Sequence, residues 1–217
     1  MVVIKYCNID VIKDADISHY MNYLPSFMLK EVLRYKYDND RKSRLLARLM
    51  LQESLTETSS TQSLKDWRRN ANNKPFMVNW HAFNISHSSD VVVFAYTTGE
   101  AVGIDIEQKA DVSYQDILNN FHPEEKQYIN SSSDPKNCFY NLWVKKEALL
   151  KAIGIGVVNG LNDFTCINNS LSHQQRTWYL KELQIHPEYS CYLCLLDLEQ
   201  DIMIREFKLS NFNLNNL

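Results

Sequence analysis

The segment Phe139 to Gly154, FYNLWVKKEALLKAIG, constrains this chain more than any other stretch. Asp134 stands where a helix cap is wanted, Pro135 suits a first turn, and Gly154 supplies the usual stop. At about 100° per residue, Cys138, Phe139, Leu142, Trp143, Leu149, Leu150 and Ile153 share one apolar arc, which predicts an amphipathic helix. Glu147 and Lys151 sit one turn apart just off that arc, the spacing of an ordinary surface ion pair. Lys146 falls inside the arc. An ammonium there needs a partner or a route to water, and its acids must come from elsewhere in the chain.

Residues 101–107, AVGIDIE, offer such acids. Val102, Ile104 and Ile106 alternate with Gly103, Asp105 and Glu107, which is the period of a strand. Asp105 and Glu107 then project from one face, beside a glycine that leaves room for a ligand or metal. Two aligned carboxylates repel unless a cation lies between them, and Mg²⁺, which takes carboxylate oxygens together with substrate phosphates, suits the pair. The other reading is an acidic strand edge that discourages aggregation.

Taken together, Gly103-Ile104-Asp105-Ile106-Glu107 and then Trp143, Lys146, Glu147, Ala148 and Lys151 resemble the signature of the 4′-phosphopantetheinyl transferases. Asn73-Lys74-Pro75 and Phe83-Asn84-Ile85-Ser86-His87 are similar to two further segments of that family, in the right order. The likeness covers residues 73 to 154, and the length is similar to that of the long, two-lobed members of the surfactin-synthetase type. It implies an α+β fold of two similar lobes in pseudo-twofold arrangement, each an antiparallel sheet packed with helices, with the active site in the cleft between them. Residues 1–99 would form the lobe on the coenzyme A side, and residues 100–217 the lobe with the metal and catalytic residues. Short members of the superfamily resemble half of such a chain and assemble to make their clefts. A chain holding both halves is expected to work as a monomer.

The remainder of the sequence is compatible with this picture. At 217 residues and 45% hydrophobic, the chain can bury a full core as one or two domains. A net charge of −3 and the lack of a basic tail argue against a general nucleic-acid binder. Five cysteines without framework spacing fit reduced thiols in a cytoplasm, and Cys191 and Cys194, a C-x-x-C in a strand-like run, read as core residues. No signal peptide or membrane span is visible, since the apolar run MVVI meets Lys5 at once.

Residues 2–7 predict an opening strand, and residues 17–37 a helical stretch broken at Pro25. A longer helix is expected from a cap at Asn39 or Asp40 to Glu57, with Leu45, Leu46, Leu49 and Met50 inward. Strands are expected at 82–87 and 91–97, turning at Ser88-Ser89-Asp90. The segment FHPEE, with Pro123 in a first turn, marks a short helix. Strands at 163–167, 177–185, 190–198 and 202–209 would complete an antiparallel second sheet.

The resemblance implies transfer of the 4′-phosphopantetheine arm of coenzyme A to a serine of an acyl or peptidyl carrier protein. Asp105, Glu107 and Glu147 would hold Mg²⁺, Glu147 or a water it orients would accept the serine proton, and Lys151 would stabilise the leaving oxygen. Lys146 is expected to support this acidic cluster. Long members place cations early in their first proline-flanked helix to receive the 3′-phosphate of coenzyme A. An ungapped match puts Met28 and Glu31 there instead. The basic run between residues 30 and 48, otherwise a solvated face, is therefore expected to compensate, with Arg44 first and Lys30 or Arg34 second, and Lys74, Ser86 and His87 completing the pocket. Two other classes remain open from sequence: a Mg²⁺-dependent phosphohydrolase, and a relative that binds coenzyme A or a carrier without turnover.

Overall fold

The computed structural model describes residues 1–111, 113–155 and 161–211. In chain order these form β1 (Val2–Asn8), α1 (Ile17–Met21), α2 (Ser26–Leu33), α3 (Asp38–Glu57), β2 (Trp67–Arg69), β3 (Pro75–Met77), β4 (Ala82–Ser88), β5 (Val91–Thr97), β6 (Val102–Gln108), α4 (Gln115–Leu118), α5 (Pro123–Asn130), α6 (Pro135–Ile153), β7 (Ser170–His173), β8 (Arg176–Glu182), β9 (Tyr189–Leu195) and β10 (Ile202–Glu206).

Two four-stranded sheets, ordered β10-β1-β5-β4 and β6-β9-β8-β7, lie between two long helices. Strand alternation explains the layering. From β1, Val3 and Cys7 enter the core beneath α3, whereas Val2 and Ile4 point into a second core shared by the two sheets. Val102, Ile104 and Ile106 of β6 meet them there. A third core joins α6 to the outer face of its sheet. Cys191 and Cys194 serve opposite faces of β9, one in the inter-sheet core and one beneath α6, and all five thiols are unpaired. The fold is thus α+β, each half a sheet with one long helix on its outside.

Helix α6 has the expected ends: the Asp134 side chain accepts from the Asn137 amide, Pro135 opens the first turn, and Gly154 adopts φ 81°. Its burial runs well beyond the apolar arc and includes Val144, Lys145 and Glu147. Helix α3 starts earlier than expected, at Asp38, with Tyr37 as a cap that makes no side-chain bond. Asp38 and Asp40 fall in its first turn, where their charges favour the positive helix end.

Three sequence expectations are corrected. Residues 163–167 form no strand, because their backbone groups are satisfied by side chains: Lys146 Nζ takes the carbonyls of Leu161 and Phe164, Lys145 Nζ those of Cys166 and Ile167, and Glu125 accepts from the Cys166 amide. Strand β10 does not join the second sheet; it runs parallel to β1 at the edge of the first, with Val2 opposite Ile202. Gly103 leaves no room for a ligand, since a Cβ there would lie 2.0 Å from the Ala148 carbonyl and 2.5 Å from the Ala152 nitrogen. The glycine instead lets β6 press backbone to backbone against α6, and this contact brings Asp105 under Glu147 and Lys151.

Candidate active site

The site lies where β4 and β6, the facing edges of the two sheets, run side by side. Asn84, Ser86 and Ser88 share one face of β4 and reach across to β6. Asn84 accepts from the Ile104 amide at 2.9 Å, Ser86 Oγ donates to Asp105 Oδ1 at 2.7 Å, and Ser88 Oγ donates to Glu107 Oε2 at 2.6 Å. Lys151 approaches from α6, its Nζ 2.5 Å from Asp105 Oδ1 and 2.9 Å from Ser86 Oγ.

Three carboxylates meet one ammonium here, and the electrostatics register the imbalance. Burial, reinforced by the charge of Asp105 and opposed by Lys151, pushes Glu147 up to about 7. Burial also raises Glu107, against the bond from Ser88. Asp105 Oδ2 and Glu147 Oε1 are buried without a hydrogen-bond partner. Unpartnered carboxylate oxygens in a cluster of net negative charge are the donor set a divalent oxygen-seeking cation requires. Among the described residues, however, no three His, Cys, Asp or Glu side chains stand closed up as a finished metal cage. Lys151 holds one Asp105 oxygen and Ser88 holds one of Glu107 in this arrangement.

Next to the carboxylates opens a cavity of about 320 Å³ lined by Arg44, Arg48, Trp67, Arg69, Ser86, His87 and Lys151, among others. Arg44 lies over the Tyr35 ring at 4.8 Å, and Arg48 and Arg69 lie over Trp67 at 5.5 and 5.7 Å. The Nε atoms of Arg44 and Arg48 are buried without acceptors. His87 is driven down to about 4, first by burial and then by Arg44 and Lys151, so it is neutral at pH 7. A cavity walled by three guanidiniums and an ammonium is built for a polyanion.

The structure therefore brings Arg44, Ser86, His87 and Lys151 together on the cavity, and Asp105, Glu107 and Glu147 beside it. Others stand apart. Lys74 turns its ammonium onto the carbonyls of Ala152 and Val102 and is not among the lining residues. Lys30 and Arg34 are exposed on α2 and just beyond it. Lys146 does not serve the acidic cluster: it pairs with Glu125 at 2.8 Å, both side chains fully buried, and sits over Phe164 at 4.4 Å.

Of the two departures on α2, Met28 is buried in the core, while Glu31 accepts from Arg48 at 3.0 Å and from Arg69 at 3.1 Å. Sequence reasoning held Arg48 within the basic run without singling it out, and missed Arg69 and Trp67. Arg48 follows Arg44 by one helical turn, and that spacing could have marked it.

Comparisons with known proteins show the family. A model of the 4′-phosphopantetheinyl transferase superfamily matches residues 101–203, and a model of the N-terminal part of such transferases matches residues 13–99. A Haemophilus influenzae relative that carries the transferase name provisionally is 30% identical over 182 residues, spanning 75% of this chain and 77% of its own. The chain belongs to the 4′-phosphopantetheinyl transferase superfamily. Among other members, 4′-phosphopantetheinyl transferase gsp of Aneurinibacillus migulanus is 29% identical over 191 residues, covering 82% of this chain and 80% of its own. 4′-Phosphopantetheinyl transferase Sfp of Bacillus subtilis is 26% identical over 137 residues, covering 58% and 61%. In this 4′-phosphopantetheinyl transferase superfamily chain, Asp105, Glu107, Glu147 and Lys151 meet where β6 and α6 come together beside β4.

Proposed function

We propose that this chain transfers the 4′-phosphopantetheine arm of coenzyme A to a serine hydroxyl of a carrier protein, releasing adenosine 3′,5′-bisphosphate. One observation carries the reading: Lys151 lines the polyanion cavity and at the same time bonds Asp105 of the carboxylate cluster. The lysine thus stands where a bound pyrophosphate would run from the cationic wall to the acids.

In the reaction, the serine oxygen forms a bond to the β-phosphorus of coenzyme A as the bond to the bridging pyrophosphate oxygen breaks. Positioning and charge neutralisation do most of the work in such a transfer. Glu147, or a water it orients, takes the serine proton. Lys151 neutralises charge on the departing oxygen. Arg44 and His87 hold the 3′-phosphate end of the donor, with Ser86 between them and the acids. Asp105, Glu107 and Glu147 would hold Mg²⁺, which when bound withdraws charge from the pyrophosphate.

Residues 1–99 supply the donor side and residues 100–217 the acids, with β10 returning to complete the first sheet. The cleft is built within one chain, so the working form is a monomer, and sedimentation showing activity lost on dilution of an obligate oligomer would contradict this. No helix among the described residues is long and apolar enough to cross a membrane, and the unpaired thiols fit a reducing cytoplasm. Release of adenosine 3′,5′-bisphosphate from coenzyme A tests the transfer: it should require an apo carrier and cease when the carrier serine is replaced by alanine.

A further inference from the structure

The loop between β2 and β3 carries a half-buried lysine for which the chemistry above has no use. Lys74 Nζ lies 3.0 Å from the Ala152 carbonyl and 3.4 Å from the Val102 carbonyl. Val102 opens β6, the strand of Asp105 and Glu107, and Ala152 lies in the last turn of α6, the helix of Glu147 and Lys151. Those two elements are pressed together at this point by Gly103.

The loop grips the same helix end twice more. Asn72 Nδ2 donates to the Gly154 carbonyl at 2.8 Å, and the Lys74 side chain packs 3.1 Å from the position of a Cβ on Gly154. The loop is itself braced, because Asn70 Oδ1 accepts from the amides of both Asn72 and Lys74. The last carbonyls of a helix lack donors within it and carry the negative end of its dipole. An ammonium from the other half of the chain meets them here. Among the described residues no carboxylate pairs with Lys74, and burial lowers its pKa to about 8. Its neighbour Pro75 lines the cavity, yet the lysine itself points to backbone.

We propose that Lys74 is a positioning residue: its ammonium clamps the C-terminal turn of α6 to the start of β6, and so sets Lys151 against Asp105. This rests on the transferase reading only for its kinetic consequence. The clamp is tested with Lys74→Met and Lys74→Arg by hydrogen exchange in the last turn of α6, by kinetics with coenzyme A and an apo carrier, and by calorimetric binding of adenosine 3′,5′-bisphosphate. In Lys74→Met the α6 terminal amides should exchange about tenfold faster and kcat should fall about tenfold, the size of one charge-assisted hydrogen bond. KM for coenzyme A and Kd for the bisphosphate should stay within about twofold, and Lys74→Arg should restore most of the loss.

A Kd raised about tenfold with exchange and kcat unchanged would make Lys74 a ligand contact and overturn the proposal, as would no change in any readout. If Lys74→Met fails to fold, Asn72→Ala should show the same split at smaller size, and its absence would count equally against the clamp. If the unmodified protein transfers nothing, the transferase reading fails, while the exchange data still decide whether the clamp exists.

Discussion

Ser86 Oγ donates to Asp105 Oδ1 at 2.7 Å, joining the edge strands of the two sheets at the carboxylate on which Lys151 also rests. One oxygen of Asp105 thus receives groups from β4 and α6, while its other oxygen is buried and unpartnered. The arrangement fixes the carboxylate from one side and leaves its other oxygen without a protein donor.

Removing the acids should be costly to turnover. Asp105→Ala and Glu147→Ala are each expected to lower kcat by roughly a hundredfold or more while circular dichroism shows an intact fold, as follows when charge neutralisation at the phosphates is lost. Glu107→Gln should lose less, since a neutral oxygen still ligates. Near-full activity of either alanine variant at low Mg²⁺ would remove the three-carboxylate site.

Arg44 tests the cavity. Arg44→Ala should raise KM for coenzyme A roughly tenfold and leave KM for dephospho-coenzyme A nearly unchanged, because only the former carries the 3′-phosphate. Equal effects on both donors would place Arg44 outside the phosphate pocket.

His87 should make the protein acid-sensitive. Its folded pKa of about 4 lies below that of an unfolded histidine, so the unfolded chain binds the proton first as pH falls. The stability this neutral histidine contributes is present above the unfolded pKa and is lost as pH falls through that value toward 4. Urea midpoints at pH 7 and pH 4.5 should therefore drop further for the unmodified protein than for His87→Gln. An equal drop would show that the histidine is not held in its neutral form.

Lys146 should matter for folding more than for chemistry. Lys146 and Glu125 are both fully buried, so truncating either one leaves an uncompensated charge, at a cost of about 3–5 kcal/mol. Urea denaturation should show that loss in Glu125→Ala, and the double variant Glu125→Leu, Lys146→Met should recover much of it. A stable Glu125→Ala protein would show that the pair is not the partner Lys146 needs.

The long helix α6 and the strand β6 were legible because caps, periodicity and a paired motif act locally. The partner of Lys146 was not, although FHPEE lay in plain view as a helix start. Glu125 is the third residue of that helix, and only the packing of α5 on α6 turns it inward. The role of Gly103 was misread for a similar reason: a sequence shows that a side chain is missing, but not which backbone takes the space. Likewise Arg69 and Trp67 reach the cavity through the β2–β3 ribbon, whose strands of 3 residues each are too short to show an alternation in the sequence. Strand β10 has an ordinary strand pattern, and its choice of sheet was decided by which edge remained unpaired beside β1.

The central claim is that the cationic cavity and the carboxylate cluster act on one donor molecule. The direct measurement is the mass of an apo carrier protein after incubation with this protein, coenzyme A and Mg²⁺. A gain of about 340 Da, the phosphopantetheine arm, abolished by Asp105→Ala, is the predicted result. Coenzyme A cleaved with the carrier unchanged, or coenzyme A bound without any reaction, would contradict it.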